Sequence, residues 1–253
     1  GGLTEIYQEG LRIPFVKLYR EGKEDSQIFD LIASNIRIPE KTMEDFRAQA
    51  ATTFVGVRRT QALVNKYGVS VFRECTRMLL DYSESMMRRF ISSLPDGDYT
   101  GIDHLDDDGI VDSPVRVQVN VHIRGDRMLV DFDGSSPQTK GNVNSPWSCT
   151  QGGVFYTMVG IVDPQMALNS GVFRPIEVTG KTGLITNPLP PAGVTARSQT
   201  MTKIVEAMLK ANPAVETYTT VTGYSFLSQA IASNTGSPKP SKSDGKRKRC
   251  APW

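Results

Sequence analysis

Histidine is almost missing from this sequence: there are two in 253 residues, His104 and His122. A Ser-His-Asp triad would have to use one of them, and no Gly-x-Ser-x-Gly elbow is present. Cysteine is equally scarce. Cys75, Cys149 and Cys250 are odd in number and far apart, with no Cys-x-x-Cys pair. That pattern disfavours zinc sites built on Cys and His and fits a reducing, cytoplasmic setting. No phosphate-binding loop and no Gly-x-Gly-x-x-Gly occurs, so the chain carries no nucleotide signature of its own. No run of about 18 apolar residues exists, so no membrane-spanning helix is expected. The opening Gly1-Gly2-Leu3-Thr4-Glu5 has neither the basic leader nor the apolar stretch of a signal peptide. It also lacks an initiator Met, which reads as a processed chain or a fragment.

An excess of one charge is missing too, but only on average. The net charge of +2 hides six basic residues against Asp244 between Lys239 and Arg249. Ahead of that tail stand 23 basic and 26 acidic residues. The body is therefore no general binder of polyanions, and neither nucleic acid nor a membrane surface is expected as a partner. What remains is ordinary globular composition, 39% hydrophobic and 22% charged, with length enough for a real core.

The periodicity predicts an α+β fold: a long helical hairpin followed by a β-rich region with additional helices. Residues 1–232 form the folded part and 233–253 a disordered basic tail. The first 22 residues read as an irregular or extended lead-in around Pro14. A short helix spans Ser26 to Asn35, capped by Ser26 and limited by Pro39. Long helices follow at Lys41–Lys66 and Val69–Ser92, joined at Tyr67-Gly68 and expected to bury each other's apolar stripes. Pro95-Asp96-Gly97 marks a turn, and Asp103 to Asp108 an acidic loop. Val115 to Ile123 alternates as a half-buried strand and turns at Gly125-Asp126 into Met128–Phe132. Further on come a helix around Gly153–Val162 ended by Asp163-Pro164, a strand over Val172–Val178, a stiff stretch at Asn187–Pro191 and a helix over Ser198–Ala211.

Few groups are left to carry chemistry. The carboxylates Asp103, Asp106, Asp107 and Asp108 could meet a hard cation, but their spacing is not that of an EF-hand, and a solvated turn is the simpler reading. Asp131 and Asp133 precede Gly134-Ser135-Ser136, a loop whose backbone donors could face an anion. Asn35 and Arg37 sit at a helix end before Pro39, with Asp45 within reach if the turn folds back. An Arg–Asp pair held that way could orient a cyclic amide, or could be a salt bridge fixing the turn.

Several stretches, in order, resemble the hydantoinase B/oxoprolinase family. They include Glu9-Gly10-Leu11-Arg12-Ile13-Pro14, Ala33-Ser34-Asn35-Ile36-Arg37-Ile38-Pro39 and Asp45-Phe46-Arg47-Ala48-Gln49. Leu94-Pro95-Asp96-Gly97, Val130-Asp131-Phe132-Asp133-Gly134, Asn169-Ser170-Gly171 and Ala196-Arg197 continue the series. The resemblance implies a B-type subunit of an ATP-dependent cyclic amide hydrolase of the N-methylhydantoinase or 5-oxoprolinase type. ATP and Mg would lie on an A-type partner subunit in a hetero-oligomer, with a small cyclic amide such as hydantoin or 5-oxoproline as substrate. It implies Asn35, Arg37 and Asp45 as positioning residues, followed by Asp131 and Arg197. Glu9 would be a remnant of a divalent metal site whose ion is unspecified. It also implies a central slice of a longer protein, inactive without the partner and the missing regions. Two other readings stand beside it: a non-catalytic fragment that binds an A-type subunit, and a ketone carboxylase like the alpha subunit of acetone carboxylase.

Overall fold

Alternation at Val115, Val117, Val119, Val121 and Ile123 puts five branched side chains on one buried face, and the fold is built on that strand. The computed structural model describes residues 2–162, 166–213 and 215. In it β1 (Tyr19–Arg20) and β2 (Lys23–Glu24) form a small hairpin. The helices α1 (Ser26–Ser34), α2 (Pro39–Tyr67) and α3 (Val69–Ser92) follow. Next come β3 (Gly97–Leu105), β4 (Val115–Arg124), β5 (Arg127–Asp131), α4 (Trp147–Ile161), β6 (Ile176–Thr179) and α5 (Arg197–Ala211). The four strands β3 to β6 make one sheet in the order β3-β4-β5-β6. The first three are antiparallel neighbours, and β6 joins β5 in parallel. The architecture is α+β, as expected.

The main core lies between the buried face of the sheet and helices α3, α4 and α5. Val117, Val119, Val121, Ile123 and Val130 meet Met87, Ile91, Met158, Ile204 and Met208 there. Helix α5 comes so close to β3 that a Cβ on Gly101 would stand 1.9 Å from the Ala207 carbonyl oxygen. A second, smaller core of Phe29, Ile32 and Met43 joins α1 to the start of α2, with Leu18 and Tyr19 of the lead-in against it.

Several expectations need correction. Asp25, not Ser26, caps α1: its side chain accepts from the Ile28 N–H. Pro39 opens α2 rather than merely ending α1, since a first-turn proline gives up no helical hydrogen bond. The long helices do not bury each other's stripes. Phe54, Val57, Leu63, Leu79 and Tyr82 are all exposed, and Gly68 joins the helices at φ 82°, a backbone conformation open to glycine. Strand β3 escapes the sequence pattern because Gly97, Thr100, Gly101 and Asp103 blur its alternation, and it takes Asp103 out of the acidic loop. The strand expected over Val172–Val178 is only Ile176–Thr179, because Ser170–Phe173 coils into a 3-10 turn against α3. There the Ser83 hydroxyl donates to the Ala167 carbonyl and accepts from Asn169 Nδ2. A Cβ on Gly171 would meet the Leu80 carbonyl at 2.1 Å, so Asn169-Ser170-Gly171 serves as a docking motif. The break at Asp163-Pro164 and the basic tail fall outside the described residues.

Candidate functional site

Parallel pairing of β5 and β6 sets their last residues, Asp131 and Thr179, side by side. Loops leaving the carboxyl ends of parallel neighbours are where open sheets form their crevices. Here the segments after β5 (132–146) and after β6 (180–196) leave from that edge and knit together.

At the edge, the Asp131 carboxylate accepts from Thr179 Oγ1 at 3.2 Å, from Asn120 Nδ2 at 3.4 Å and from the Asp133 N–H at 3.2 Å. Asp133 accepts from the Lys181 N–H at 3.1 Å and pairs with Lys181 Nζ at 2.6 Å. Those two bonds outweigh partial burial and hold the Asp133 carboxyl below the usual range. The donors expected from the following loop are not free. The Ser135 N–H goes to the Phe132 carbonyl and the Ser136 N–H to the Arg116 carbonyl. The Ser135 hydroxyl accepts from the Gln118 N–H and donates to the Gln118 carbonyl, so the serines line the side of β4 as a surrogate strand.

Behind this edge the two loops meet on polar groups, some of them buried. Gln138 Oε1 accepts from the Leu189 N–H at 2.7 Å. Asn144, fully buried, accepts from the Thr139 N–H and donates to the Thr139, Gly141 and Gly193 carbonyls. Asp108 does not lie in a solvated turn, as its sequence context suggests: its side chain is buried. It accepts from the Ile110, Val111 and Gly141 N–H groups. Burial pushes this carboxyl up, and the ring of backbone donors more than reverses the push.

Glu9 joins the same knot from the other end of the chain. Its Oε1 accepts from the Val194 N–H at 2.7 Å and the Thr195 N–H at 2.8 Å. Arg197 begins α5 two residues later, exposed, with Nη1 3.4 Å from the Val194 carbonyl. The structure thus brings Glu9 and Arg197 to one loop and Asp131 to the strand edge from which the loop pair leaves. Asn35, Arg37 and Asp45 stand elsewhere, exposed around the α1–α2 turn. Asn35 Nδ2 donates to the Leu31 carbonyl. Among the described residues Arg37 and Asp45 form no ion pair, so the turn is fixed without them.

Neither histidine belongs to the site. His122 Nδ1 lies 2.6 Å from Asp98, which also takes Arg124, on the open face of the sheet. A metal held at Glu9 would need further ligands, and its Oε1 is already committed to two N–H groups. Among the described residues no three His, Cys, Asp or Glu side chains gather around a common point. The residues present do not fit a metal centre at Glu9. Sequence reasoning alone misses Lys181, Asn144 and Gln138. Only Asp108-Gly109 carries a usable signal, an Asx-type turn with Gly109 at φ 82°.

Comparison with known proteins agrees with this fold. A protein of Pseudomonas sp. (strain NS671), named as the B-type subunit of a D-/L-hydantoinase, is 32% identical over 219 residues, covering 82% of this chain and 37% of that protein. The beta subunit of caprolactamase from Pseudomonas jessenii is 33% identical over 189 residues, covering 74% of this chain and 32% of that one. The crystal structure of ATP-dependent caprolactamase from Pseudomonas jessenii superposes with a TM-score of 0.74 at 30% identity, over 83% of this chain and 37% of that one. A nucleotide-free acetone carboxylase shares the fold, with a TM-score of 0.71 at 17% identity over 82% of this chain and 29% of that one. The chain spans about 37% of the length of the hydantoinase relative. The family description hydantoinase B/oxoprolinase matches residues 2–237, nearly the whole sequence, and the chain belongs to that family.

Proposed function

We propose that this chain is part of a B-type subunit of an ATP-dependent cyclic amide hydrolase. It works with an A-type subunit in a cytoplasmic hetero-oligomer and opens a ring such as hydantoin or 5-oxoproline. The observation that carries the reading is the family match over residues 2–237, joined to a fold shared with caprolactamase at 30% identity. ATP with Mg on the A-type subunit would supply the phosphoryl group that turns the inert amide oxygen into a leaving group. The task left to this chain is to hold the ring and aim its carbonyl at water.

The polar loops at the carboxyl ends of β5 and β6 suit that task. Asp131 and Asp133 are fixed by neighbours rather than free to swing, and Arg197 presents a guanidinium at the rim of the same knot. Asn35, Arg37 and Asp45 form a second polar group, whose exposed guanidinium and carboxylate remain available to a substrate or an adjoining subunit. Glu9 acts through the loop it holds.

The test is ATP-dependent ring opening of hydantoin, 5-oxoproline and caprolactam by the full gene product with the A-type subunit from the same source. Turnover needs both subunits, and this chain alone gives none. No turnover of any ring by the pair overturns the reading. Bicarbonate-dependent consumption of a ketone moves the assignment to a carboxylase, which the 17% identical fold neighbour does not by itself support.

A further inference from the structure

Residues 5–9 lie as a strap over the loop that leads into α5. The Ile6 N–H donates to the Pro191 carbonyl at 2.8 Å, and Glu5 pairs with Ala192 in a β-bridge. Glu9 Oε1 then accepts from both the Val194 and the Thr195 N–H. Two successive N–H groups that converge on one oxygen make a backbone cradle for an anion. The ground around them is positive. They stand just ahead of the N-terminus of α5, which opens with Arg197, has no acid in its first turn and receives no side-chain cap from Ala196. The carboxylate that fills the cradle comes from the far end of the chain.

The strap is held lightly. Its turn, Ile6–Gln8, buries no residue, and residues 10–17 are exposed throughout. Segments with few buried apolar contacts open at little cost. Glu9 also uses the cradle incompletely. Among the described residues its Oε2 has no partner, and Arg197 pairs with no carboxylate. A carboxylate free of the strap can set one oxygen on the N–H pair and offer the other to that guanidinium.

We propose that residues 5–9 are a displaceable strap, and that the Glu9 carboxylate holds the place a small carboxylate ligand takes at Val194, Thr195 and Arg197 when the strap opens. A tethered group competes at an effective concentration on the order of millimolar. Removing it tightens the site without adding a contact. The inference stands on this geometry and not on the reaction class.

Isothermal titration of the full 253-residue chain with acetate and with 5-oxoproline, at constant ionic strength, tests it. Pyrrolidone, the same ring without the carboxylate, is the control. Glu9→Ala is expected to bind both acids at least tenfold more tightly than the parent, with Glu9→Gln, which keeps an uncharged acceptor, between them. Arg197→Ala added to Glu9→Ala is expected to take the gain away, and pyrrolidone to bind none of these proteins. In the parent, 5-oxoproline and not pyrrolidone is expected to speed proteolytic cleavage within residues 2–9. Circular dichroism checks that each variant keeps its helices. Equal affinity of the parent and Glu9→Ala for the acids overturns the proposal. So does no binding by either protein, cleavage indifferent to 5-oxoproline, or a preference for inorganic phosphate over both acids. Ring opening enters none of these readings, so its failure leaves them standing.

Discussion

Thr179 closes the parallel edge of the sheet by donating its hydroxyl to Asp131 at 3.2 Å, joining the last residue of β6 to the last residue of β5. Removing that donor isolates one oxygen of a half-buried carboxylate. Thr179→Val is expected to cost about 1 kcal/mol and Asp131→Ala about 2 kcal/mol. Urea unfolding reads both, and equal stability of the three proteins would show that the edge is held by backbone pairing alone.

Asp103 gives the acid limb of the stability curve a specific origin. Burial pushes its carboxyl up, but contacts with Glu206 and Lys210, the His104 N–H and the charge of Lys203 bring it down to about 2. Lys210 Nζ stands 2.9 Å away and Lys203 Nζ 3.6 Å, both on α5. A folded-state value below the ordinary 3.8 means stability that is present above about pH 4 and is lost as pH falls toward 2. Asp103→Asn is expected to flatten that part of a melting-temperature profile between about pH 2 and 6. An unchanged slope would remove Asp103 as its source.

Gly101 tolerates no side chain. An added Cβ would meet the Ala207 carbonyl at 1.9 Å, a backbone atom that moves only if α5 lifts off β3. Gly101→Ala is expected to destabilise by about 3 kcal/mol or more. Gly152→Ala, inside α4 with nothing within 4 Å, is the control and is expected to gain about 0.5–1 kcal/mol from helix propensity.

Glu9 separates two roles by one substitution. As a brace it needs only an oxygen acceptor facing the Val194 and Thr195 N–H groups. Glu9→Gln can keep that acceptor and is expected to resist limited proteolysis of residues 2–9 like the parent, while Glu9→Ala exposes the segment. Ring opening by the complex that survives Glu9→Gln supports the brace. Activity lost in the stable Gln variant would point to a need for the charge itself.

Arg37 and Asp45 are exposed and unpaired among the described residues, so Arg37→Ala and Asp45→Ala are expected to shift the melting temperature by less than about 2 °C. If they touch the substrate or the adjoining subunit, ring opening by the complete enzyme falls at least tenfold. Full activity in both variants would return them to the surface.

Where side chains speak for themselves, the sequence is a good guide. The valine alternation foretells β4, and the stripe of Ile204, Val205, Met208 and Leu209 foretells α5 to within a residue. Strand β3 is illegible because its inward positions include Gly101 and Asp103, residues chosen by α5 lying across them. The mutual burial of α2 and α3 is a fair deduction from their stripes and fails, because a stripe records that something is covered and not by what. In the candidate site, the carboxylates can be named but their partners cannot. Lys181, Asn144 and the N–H groups around Asp108 reach their places only through the pairing of β5 with β6 and the loops that follow.

Asn144 also sets a chemical clock. Its amide nitrogen donates to the carbonyls of Thr139, Gly141 and Gly193 at once, so deamidation would place an anion against three oxygen atoms. The loops after β5 and β6 would then be pushed apart by a single hydrolysed bond. Burial and its hydrogen bonds protect that amide for as long as the loops stay closed, so its deamidation would report their opening.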